Sequence, residues 1–251
     1  MSTSVKHDQT TNVLKKSYDT VYQVSTMLSL LDGVYEGETT FGDLKHHGDF
    51  GIGTFDRLDG ELIGFDNEFY RVRGDGTATP LVDADRSPFC SMTYFKPEIT
   101  HKVEQTMSKR EIEELIMDLV PSENLFYAVR FDGVFKQVKT RTVVYQEKPY
   151  VPMSEAVESQ PIFTFNNVKG TMVGFWTPMY AHGIAVGGFH LHFIDENRTS
   201  GGHVFDYAID NCTIQINKKP EMKLHLPQDE GFLNANLNRP EMEAEMKKTE
   251  G

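Results

Sequence analysis

Cysteine, clustered basic residues and long apolar runs are all scarce in this 251-residue sequence. It contains two cysteines, Cys90 and Cys212, which lie far apart and outside any spacing typical of a cysteine-based metal site. A single disulfide between these two cysteines is one alternative. We expect two reduced, buried thiols instead, because free cysteine behaves as a small apolar side chain.

Positive charge is also scarce, since the formal net charge is −12 at pH 7. Nucleic acids and anionic membranes are themselves negative, so neither is expected as a partner. No apolar stretch approaches the length that crosses a bilayer. The first residues, MSTSVKHDQTTNVLKK, contain no apolar core of signal-peptide length. We therefore expect a cytoplasmic protein.

Three segments show features of helices. Apolar residues at helical spacing predict a helix over residues 14–31, which Asp and Gly then end. Ser108 and Glu111 form a capping box, in which each side chain satisfies a free backbone donor of the other residue. An apolar stripe follows and Pro121 closes that helix. A last helix is expected over about 238–248.

Strand patterns outnumber these helices. Residues 35–82 contain short apolar runs punctuated by Gly and Asp, which predicts a meander of short strands with tight turns. Five further strand candidates cover residues 125–134, 135–145, 170–178, 187–194 and 203–216. The predicted class is α+β, with two lobes built on mixed β-sheets and a few flanking helices. The N-terminal lobe is predicted over 13–155 and the C-terminal lobe over 156–251.

The most informative segment of the C-terminal lobe is GGFHLHFI at residues 187–194. In a strand, alternate side chains share a face, so His190 and His192 would point the same way with Cα atoms about 7 Å apart. A turn-rich connection follows, and His203 begins the predicted return strand. Three neutral imidazoles leave an open coordination position, which is typical of catalytic zinc.

Other interpretations of these histidines remain open. His190-x-His192-x-x-x-Glu196 has the ligand spacing of cupin-type oxygenases and isomerases, which prefer iron or manganese. Against it, Glu196 falls within a segment that is predicted to turn. A regulatory or ligand-binding protein with a structural ion is the second alternative, and it would need a fourth protein ligand. No partner pattern was found for the remaining histidines, His7, His46, His47, His101, His182 and His225.

A family resemblance rests on several segments taken together. The histidine segment within 187–205, read with GIGTFDRLDGELIGFDNEFYRV at 51–72, resembles bacterial acetolactate decarboxylases. Residues 87–95 and 126–133 support it, and the resemblance runs from about Val24 to the C-terminus. The combination of H-x-H…GGH with GTFD…DGE is specific, whereas either motif alone would not be.

The resemblance implies a function, a cofactor and an assembly. The family converts 2-acetolactate to acetoin and carbon dioxide, holds Zn²⁺ on three histidines that match His190, His192 and His203, and is similar to enzymes that form homodimers. The fold that it implies has two α/β lobes with mixed sheets.

The resemblance also implies further site residues. Glu61 and Arg141 match catalytic positions, and Thr54 and Arg141 match substrate-binding positions. A catalytic glutamate of the tail matches Glu250, although Glu241, Glu243 or Glu245 could be confused with it. On the residues alone, Glu61 would be a solvated side chain after an Asp-Gly turn, and Arg141 an exposed strand cation.

The chemistry of this reaction explains why such residues are needed. Loss of carbon dioxide leaves an electron pair that forms an enediolate, which a Lewis-acid metal stabilises. Arg141 can hold the departing carboxylate through two hydrogen bonds. Glu61 can then donate a proton, with Arg141 as the less favoured donor. We also hypothesise that the last helix lays Glu250 into the site, so that truncation before Met242 costs more activity than stability.

Overall fold

The computed structural model describes residues 17–250, except for the side chains of Glu243 and Glu250. Its strands are β1 Thr20–Val24, β2 Thr39–Thr40, β3 Phe50–Thr54, β4 Glu61–Phe65, β5 Glu68–Val72, β6 Ala78–Pro80, β7 Arg86–Ser87, β8 Cys90–Thr93, β9 Ile99–Val103, β10 Met107–Ser108, β11 Phe126–Arg141, β12 Ile162–Thr177, β13 Gly188–Asp195, β14 Gly201–Lys219 and β15 Glu221–His225. Its α-helices are α1 Met27–Leu31, α2 Phe41–Leu44, α3 Lys109–Leu119, α4 Met153–Ala156, α5 Glu230–Asn234 and α6 Met242–Glu250. Short 3-10 helices cover Asp56–Leu58, Val157–Ser159 and Met179–Ala181.

The first sheet has seven strands in the order β15-β1-β8-β3-β4-β5-β6. Strands β1 and β15 are parallel, and the other neighbours are antiparallel, so this sheet is mixed. The meander predicted over residues 35–82 is confirmed by β3, β4, β5 and β6. It places Glu61, the first residue of β4, directly opposite Thr54 at the end of β3.

The second sheet has six strands and is antiparallel throughout. Its centre is β11, a single strand of 16 residues where two strands were predicted, and it pairs with β12 on one side and β14 on the other. Strands β13 and β14 form a hairpin, and the two strands pair with each other in the residues next to the turn. The α+β class is confirmed, although only one of the two main sheets is mixed.

The division into lobes at residue 155 stays a prediction. Strand β11 lies before that boundary, and its partners β12 and β14 lie after it. Likewise, β15 near the C-terminus joins the first sheet beside β1.

The helix predicted over residues 14–31 is wrong in its first half. Residues 14–16 lie outside the described part of the chain, and Thr20–Val24 forms β1 between β8 and β15. Ser25 then takes a left-handed conformation with φ of 65°, and the Thr26 side chain caps α1 by accepting from the Ser29 amide. The sequence TVYQV is rich in β-branched and aromatic residues, and two neighbouring strands satisfy its backbone groups.

The other two helices lie where the sequence places them. The Ser108 hydroxyl and the Glu111 carboxylate form the capping box at the start of α3, and Ile112 and Ile116 bury its apolar stripe. Helix α6 covers Met242–Glu250, close to the range predicted for the last helix.

Two apolar clusters position the functional site. The first joins the sheets face to face, with Phe50 and Ile52 of β3 beside Val173 and Phe175 of β12. The second packs α1, α4 and α6 together over the end of β11, and its buried members are Met27, Leu30, Leu31, Tyr35, Leu58, Phe89, Val143, Met153, Ala156, Val186, Met242 and Met246. Among the described residues, no helix combines the length and the apolar character needed to cross a membrane.

Candidate active site

The hairpin of β13 and β14 brings three histidines together. His190 and His192 share one face of β13, and His192 lies directly opposite His203 in the register of the two strands. One ring nitrogen of each residue lies within 4.8 Å of those of the other two. The predicted juxtaposition of the three side chains is therefore confirmed.

All three imidazoles are in the neutral form at neutral pH. Burial is the main cause, since it lowers the pKa of His192 to about 4 and the pKa values of His190 and His203 well below their usual range. The neighbouring imidazoles and the positive charge of Arg141 lower the pKa values of His190 and His203 further. Neutral imidazole is the form that binds a metal ion.

The orientation of His192 is fixed from the first sheet. Its Nδ1 atom lies 2.7 Å from the carbonyl oxygen of Leu62, which can only accept, so Nδ1 donates the hydrogen bond. Its Nε2 atom is buried and has no hydrogen-bond partner among the described residues. An unpaired buried nitrogen is costly unless a ligand occupies it, and a metal-bound histidine commonly donates its other N–H to a carbonyl. These residues fit a divalent metal ion.

A carboxylate lies beside this group. Glu61 is only 5% exposed, which contradicts the interpretation of a solvated residue after a turn. Its Oε1 accepts a 3.0 Å hydrogen bond from the Val143 amide, and its Oε2 lies 3.6 Å from Nε2 of His192. Thr54, buried opposite it, donates its hydroxyl to the carbonyl of Gly60 at 2.8 Å. The turn before β4 thus anchors Thr54, and the Val143 amide anchors Glu61.

A guanidinium completes the polar groups. Arg141 ends β11 directly opposite His203, and its Nη2 lies 3.4 Å from Nε2 of that histidine. The same Nη2 donates to the carbonyl of Thr249 in α6, and the guanidinium lies over the ring of Phe205. Arg141 is half-buried and faces the histidines, so it is not the exposed strand cation of the simpler interpretation.

These side chains line one cavity. Its walls include Thr54, Glu61, Arg141 and the three histidines, so the structure brings together every predicted site residue with a described side chain. The side chain of Glu250 lies outside the described residues, and its predicted role stays a prediction. The remaining lining residues are Met27, Leu30, Gly53, Phe89, Val143, Met153, Gln160 and Thr249.

Sequence patterns missed three backbone groups of this site. They are the Leu62 carbonyl, the Val143 amide and the Thr249 carbonyl, which hold His192, Glu61 and Arg141 respectively. Residue types carry no signal for backbone groups. Two of these groups adjoin predicted site residues in the sequence, since Leu62 follows Glu61 and Thr249 precedes Glu250.

The cupin-like ligand set is not formed. Glu196 is exposed and pairs with Lys169, whereas the group that could hold a metal ion consists of the three histidines alone among the described residues. The turn after β13 directs the Glu196 side chain to solvent, as its sequence favours. Other histidines have structural contacts, since His182 accepts from the Gly187 amide and His47 stacks on Tyr22.

Fold and site together define an enzyme with a candidate metal site of three histidines. Three neutral imidazoles, a buried carboxylate and a guanidinium converge on a partly apolar cavity. Such convergence of a few polar groups in an apolar cavity is typical of a catalytic site.

Comparisons with known proteins identify the family. The family model described as alpha-acetolactate decarboxylase matches residues 21–239. The chain is 61% identical over 231 residues to the alpha-acetolactate decarboxylase of Bacillus subtilis strain 168, covering 92% of this chain and 91% of that protein. Its identity to the enzyme of Bacillus licheniformis is 60% over 236 residues, covering 94% and 93% of the two chains.

Solved structures agree with this result. The crystal structure of the Bacillus subtilis strain 168 enzyme superposes with a TM-score of 0.91 at 60% identity, covering 92% of this chain and 99% of that one. A Staphylococcus aureus protein, described as of unknown function and similar to alpha-acetolactate decarboxylase, superposes with a TM-score of 0.89 at 32% identity, covering 92% and 100%. The chain belongs to the alpha-acetolactate decarboxylase family and is a carboxy-lyase.

Proposed function

We propose that this chain converts 2-acetolactate to acetoin and carbon dioxide with one zinc ion held by His190, His192 and His203. The observation that carries the metal is the buried Nε2 of His192, which lacks a hydrogen-bond partner among the described residues while Leu62 orients its ring. A zinc ion bound there would supply a Lewis acid for the carbonyl and hydroxyl oxygens of the substrate. Three nitrogen ligands with an open position favour zinc, and zinc is the metal that the family resemblance implies.

Arg141 would bind the substrate carboxylate. Its guanidinium faces the histidines and can offer two parallel N–H donors to a carboxylate. It offsets the negative charge of the substrate in a protein of net charge −12. Thr54 also lines the cavity and would contact the substrate carboxylate or hydroxyl, whereas its own hydroxyl proton is directed to Gly60.

The reaction needs one proton for each substrate. The bond between C2 and the carboxylate carbon breaks, carbon dioxide leaves, and the electron pair remains on the substrate as an enediolate. Glu61 would then donate a proton to C2 and recover one from solvent, which gives neutral acetoin. Its burial and the position of its Oε2 3.6 Å from Nε2 of His192 support this role. Glu250 would act with it from the tail.

The proposal also includes the assembly and the location of the protein. We expect a homodimer and a cytoplasmic location. Sedimentation equilibrium would test the first, because a monomer mass at micromolar concentration contradicts it. Fractionation of cells that express the native gene would test the second.

The deciding experiment is a turnover assay with metal control. Purified protein is incubated with racemic 2-acetolactate as isolated, after chelation, and after addition of zinc, and acetoin and carbon dioxide are measured. We expect production of both in equal amounts, loss after chelation and recovery with zinc. Iron, manganese or cobalt in place of zinc tests the identity of the metal.

Two outcomes would contradict parts of the proposal. A folded, zinc-loaded protein that releases no acetoin would overturn the substrate. Turnover that survives complete removal of the metal would overturn the metal while leaving the decarboxylase activity in place.

A further inference from the structure

The cavity has two chemically different walls. Arg141, Glu61, Thr54 and the three histidines form the polar wall. Five apolar lining residues, which belong to one hydrophobic cluster, form the apolar wall, and they are Met27, Leu30, Phe89, Val143 and Met153. This division matters for any substrate that carries polar groups on one side and alkyl groups on the other.

The proposed substrate has this character. On the proposed function, the carboxylate, hydroxyl and carbonyl oxygens of 2-acetolactate engage the polar wall, because each would lose hydrogen bonds against the apolar one. The two methyl groups, one on C2 and one on the carbonyl carbon, then face the apolar wall. The residues of that wall therefore control how long these alkyl groups can be.

Helices supply three members of this wall, which are Leu30 and the two methionines Met27 and Met153. Met27 begins α1 and Met153 begins α4, and both are buried at 1% and 5% exposure. Val143 and Phe89 come from segments held by the sheets, so their positions follow the strand pairing. The two methionines are the long, unbranched side chains that α1 and α4 bring to the cavity lining.

The methionines belong to a buried cluster that also includes residues outside the cavity lining. Leu31 of α1 and Met246 of α6 are buried in the same cluster, with exposures of 0% and 1%, and neither lines the cavity. Helix α6 contacts both α1 and α4. A packed wall of this kind excludes a longer chain, since close-packed interiors accommodate an added methylene only at a cost.

We propose that Met27 and Met153 are specificity-determining residues that restrict the C2 and acyl substituents of the substrate to short alkyl groups. This inference rests on the proposed decarboxylation of 2-hydroxy-3-oxo acids. It assigns no catalytic step to either methionine. The two methionines affect only the choice of substrate, because they determine which homologues fit the cavity.

The test compares three substrates that carry methyl, ethyl or propyl on C2. The ratio of kcat/KM for propyl to that for methyl is measured for the wild type, Met27→Ala and Met153→Ala. We expect the ratio to rise about tenfold or more in each variant, because a pocket discriminates one methylene by roughly 10- to 200-fold. Met153→Leu keeps the side-chain volume and should keep the wild-type ratio.

Met246→Ala is the matched control, since it makes the same chemical change in the same cluster without touching the cavity lining. Its ratio should stay within about twofold of the wild type. Circular dichroism and zinc content of each variant exclude loss of fold or metal as the cause of a change.

The outcomes separate this inference from the proposed function. If Met27→Ala and Met153→Ala are folded, zinc-loaded and active but retain the wild-type ratio, the inference is overturned and the function stands. A ratio that rises equally in Met246→Ala also overturns it, since general loosening of the cluster would then be the cause. Absence of turnover by the wild type with all three substrates refutes the proposed function itself.

Discussion

The carbonyl oxygen of Leu62 accepts a 2.7 Å hydrogen bond from Nδ1 of His192, and this contact joins the two sheets at the active site. The residue before Leu62 is Glu61, whose carboxylate lies 3.6 Å from Nε2 of the same histidine. One short strand thus orients the imidazole with its backbone and presents an acid beside it with a side chain. The proposed metal ligand and the proposed proton donor are therefore held in fixed positions relative to each other.

The first prediction concerns the metal ligands. His192→Ala should bind little zinc, and decarboxylation should fall by more than about a hundredfold, because even residues that only support a ligand change affinity by 10- to 100-fold. Metal content by mass spectrometry and acetoin release check this. His225→Ala, in the exposed end of β15, is the control and should retain both. Full zinc content in His192→Ala would show that the ion is bound elsewhere.

The second prediction separates proton transfer from metal binding. Glu61→Gln keeps an oxygen that can accept from the Val143 amide but removes the acid, so zinc content should persist while kcat falls by about 10²- to 10⁴-fold. Glu196→Gln, an exposed carboxylate paired with Lys169, should be as active as the wild type. Loss of metal in Glu196→Gln would instead support the cupin-like ligand set, in which Glu196 binds the ion.

Short-range patterns explain which parts of this site the sequence predicts. The alternation of His190 and His192 and the turn before His203 are local, and strand geometry converts them directly into a three-histidine group. The burial of Glu61 is different. It depends on the second sheet packing over β4 and on a backbone amide 82 positions away in sequence. Without the family resemblance, no local signal distinguishes it from a solvated residue after a turn.

The same reasoning applies to the fold. The capping box of α3 and the strand meander are local features, and both are confirmed. The segment Thr20–Val24 fails as a helix because its apolar residues fit either periodicity. Its strand conformation is decided by β8 and by β15, which lies 201 positions away at Glu221 opposite Thr20. Tertiary pairing overrides the helical pattern there.

The third prediction tests the guanidinium. Arg141→Lys keeps the charge but loses the paired donors, so we expect kcat/KM to fall by about 10- to 100-fold, corresponding to loss of one charge-assisted hydrogen bond. Zinc content should be unchanged. Steady-state kinetics with 2-acetolactate check this, and Arg110→Lys in the exposed part of α3 is the matched control. Equal kinetics for Arg141→Lys and the wild type would mean that a single positive charge is sufficient to bind the substrate carboxylate.

The fourth prediction concerns stability and a lysine outside the active site. Lys219 is fully buried and donates to the carbonyls of Tyr18 and Tyr94 and to Oδ1 of Asn217. Lys219→Met leaves these three acceptors without their donor, so the free energy of unfolding should decrease by about 2 kcal/mol or more at pH 7. Urea denaturation measures this. Lys102→Met, on the exposed face of β9, should change it by less than about 0.5 kcal/mol.

The pH dependence of this effect has a definite sign. Burial lowers the pKa of Lys219 from 10.5 to about 8. Between these values the unfolded chain binds more protons than the native one, so this lysine makes the free energy of unfolding rise with pH. The stabilisation that Lys219 contributes is largest above pH 10.5, decreases as the pH falls to about 8, and does not change further below pH 8. The difference between wild type and Lys219→Met should therefore increase from pH 8 to 10.5, and a flat difference would contradict the assignment.

The last prediction concerns the tail. Truncation before Met242 would remove Met242 and Met246, which are buried against α1 and α4, so it would lower stability together with activity. Glu250→Gln avoids this ambiguity. We expect kcat to fall by about 10- to 100-fold, as for loss of an assisting acid or base, with the free energy of unfolding unchanged within about 0.5 kcal/mol. Glu241→Gln, exposed just before α6, is the control and should keep full activity. If Glu241→Gln is impaired and Glu250→Gln is not, the tail glutamate that the family resemblance implies has been matched to the wrong position.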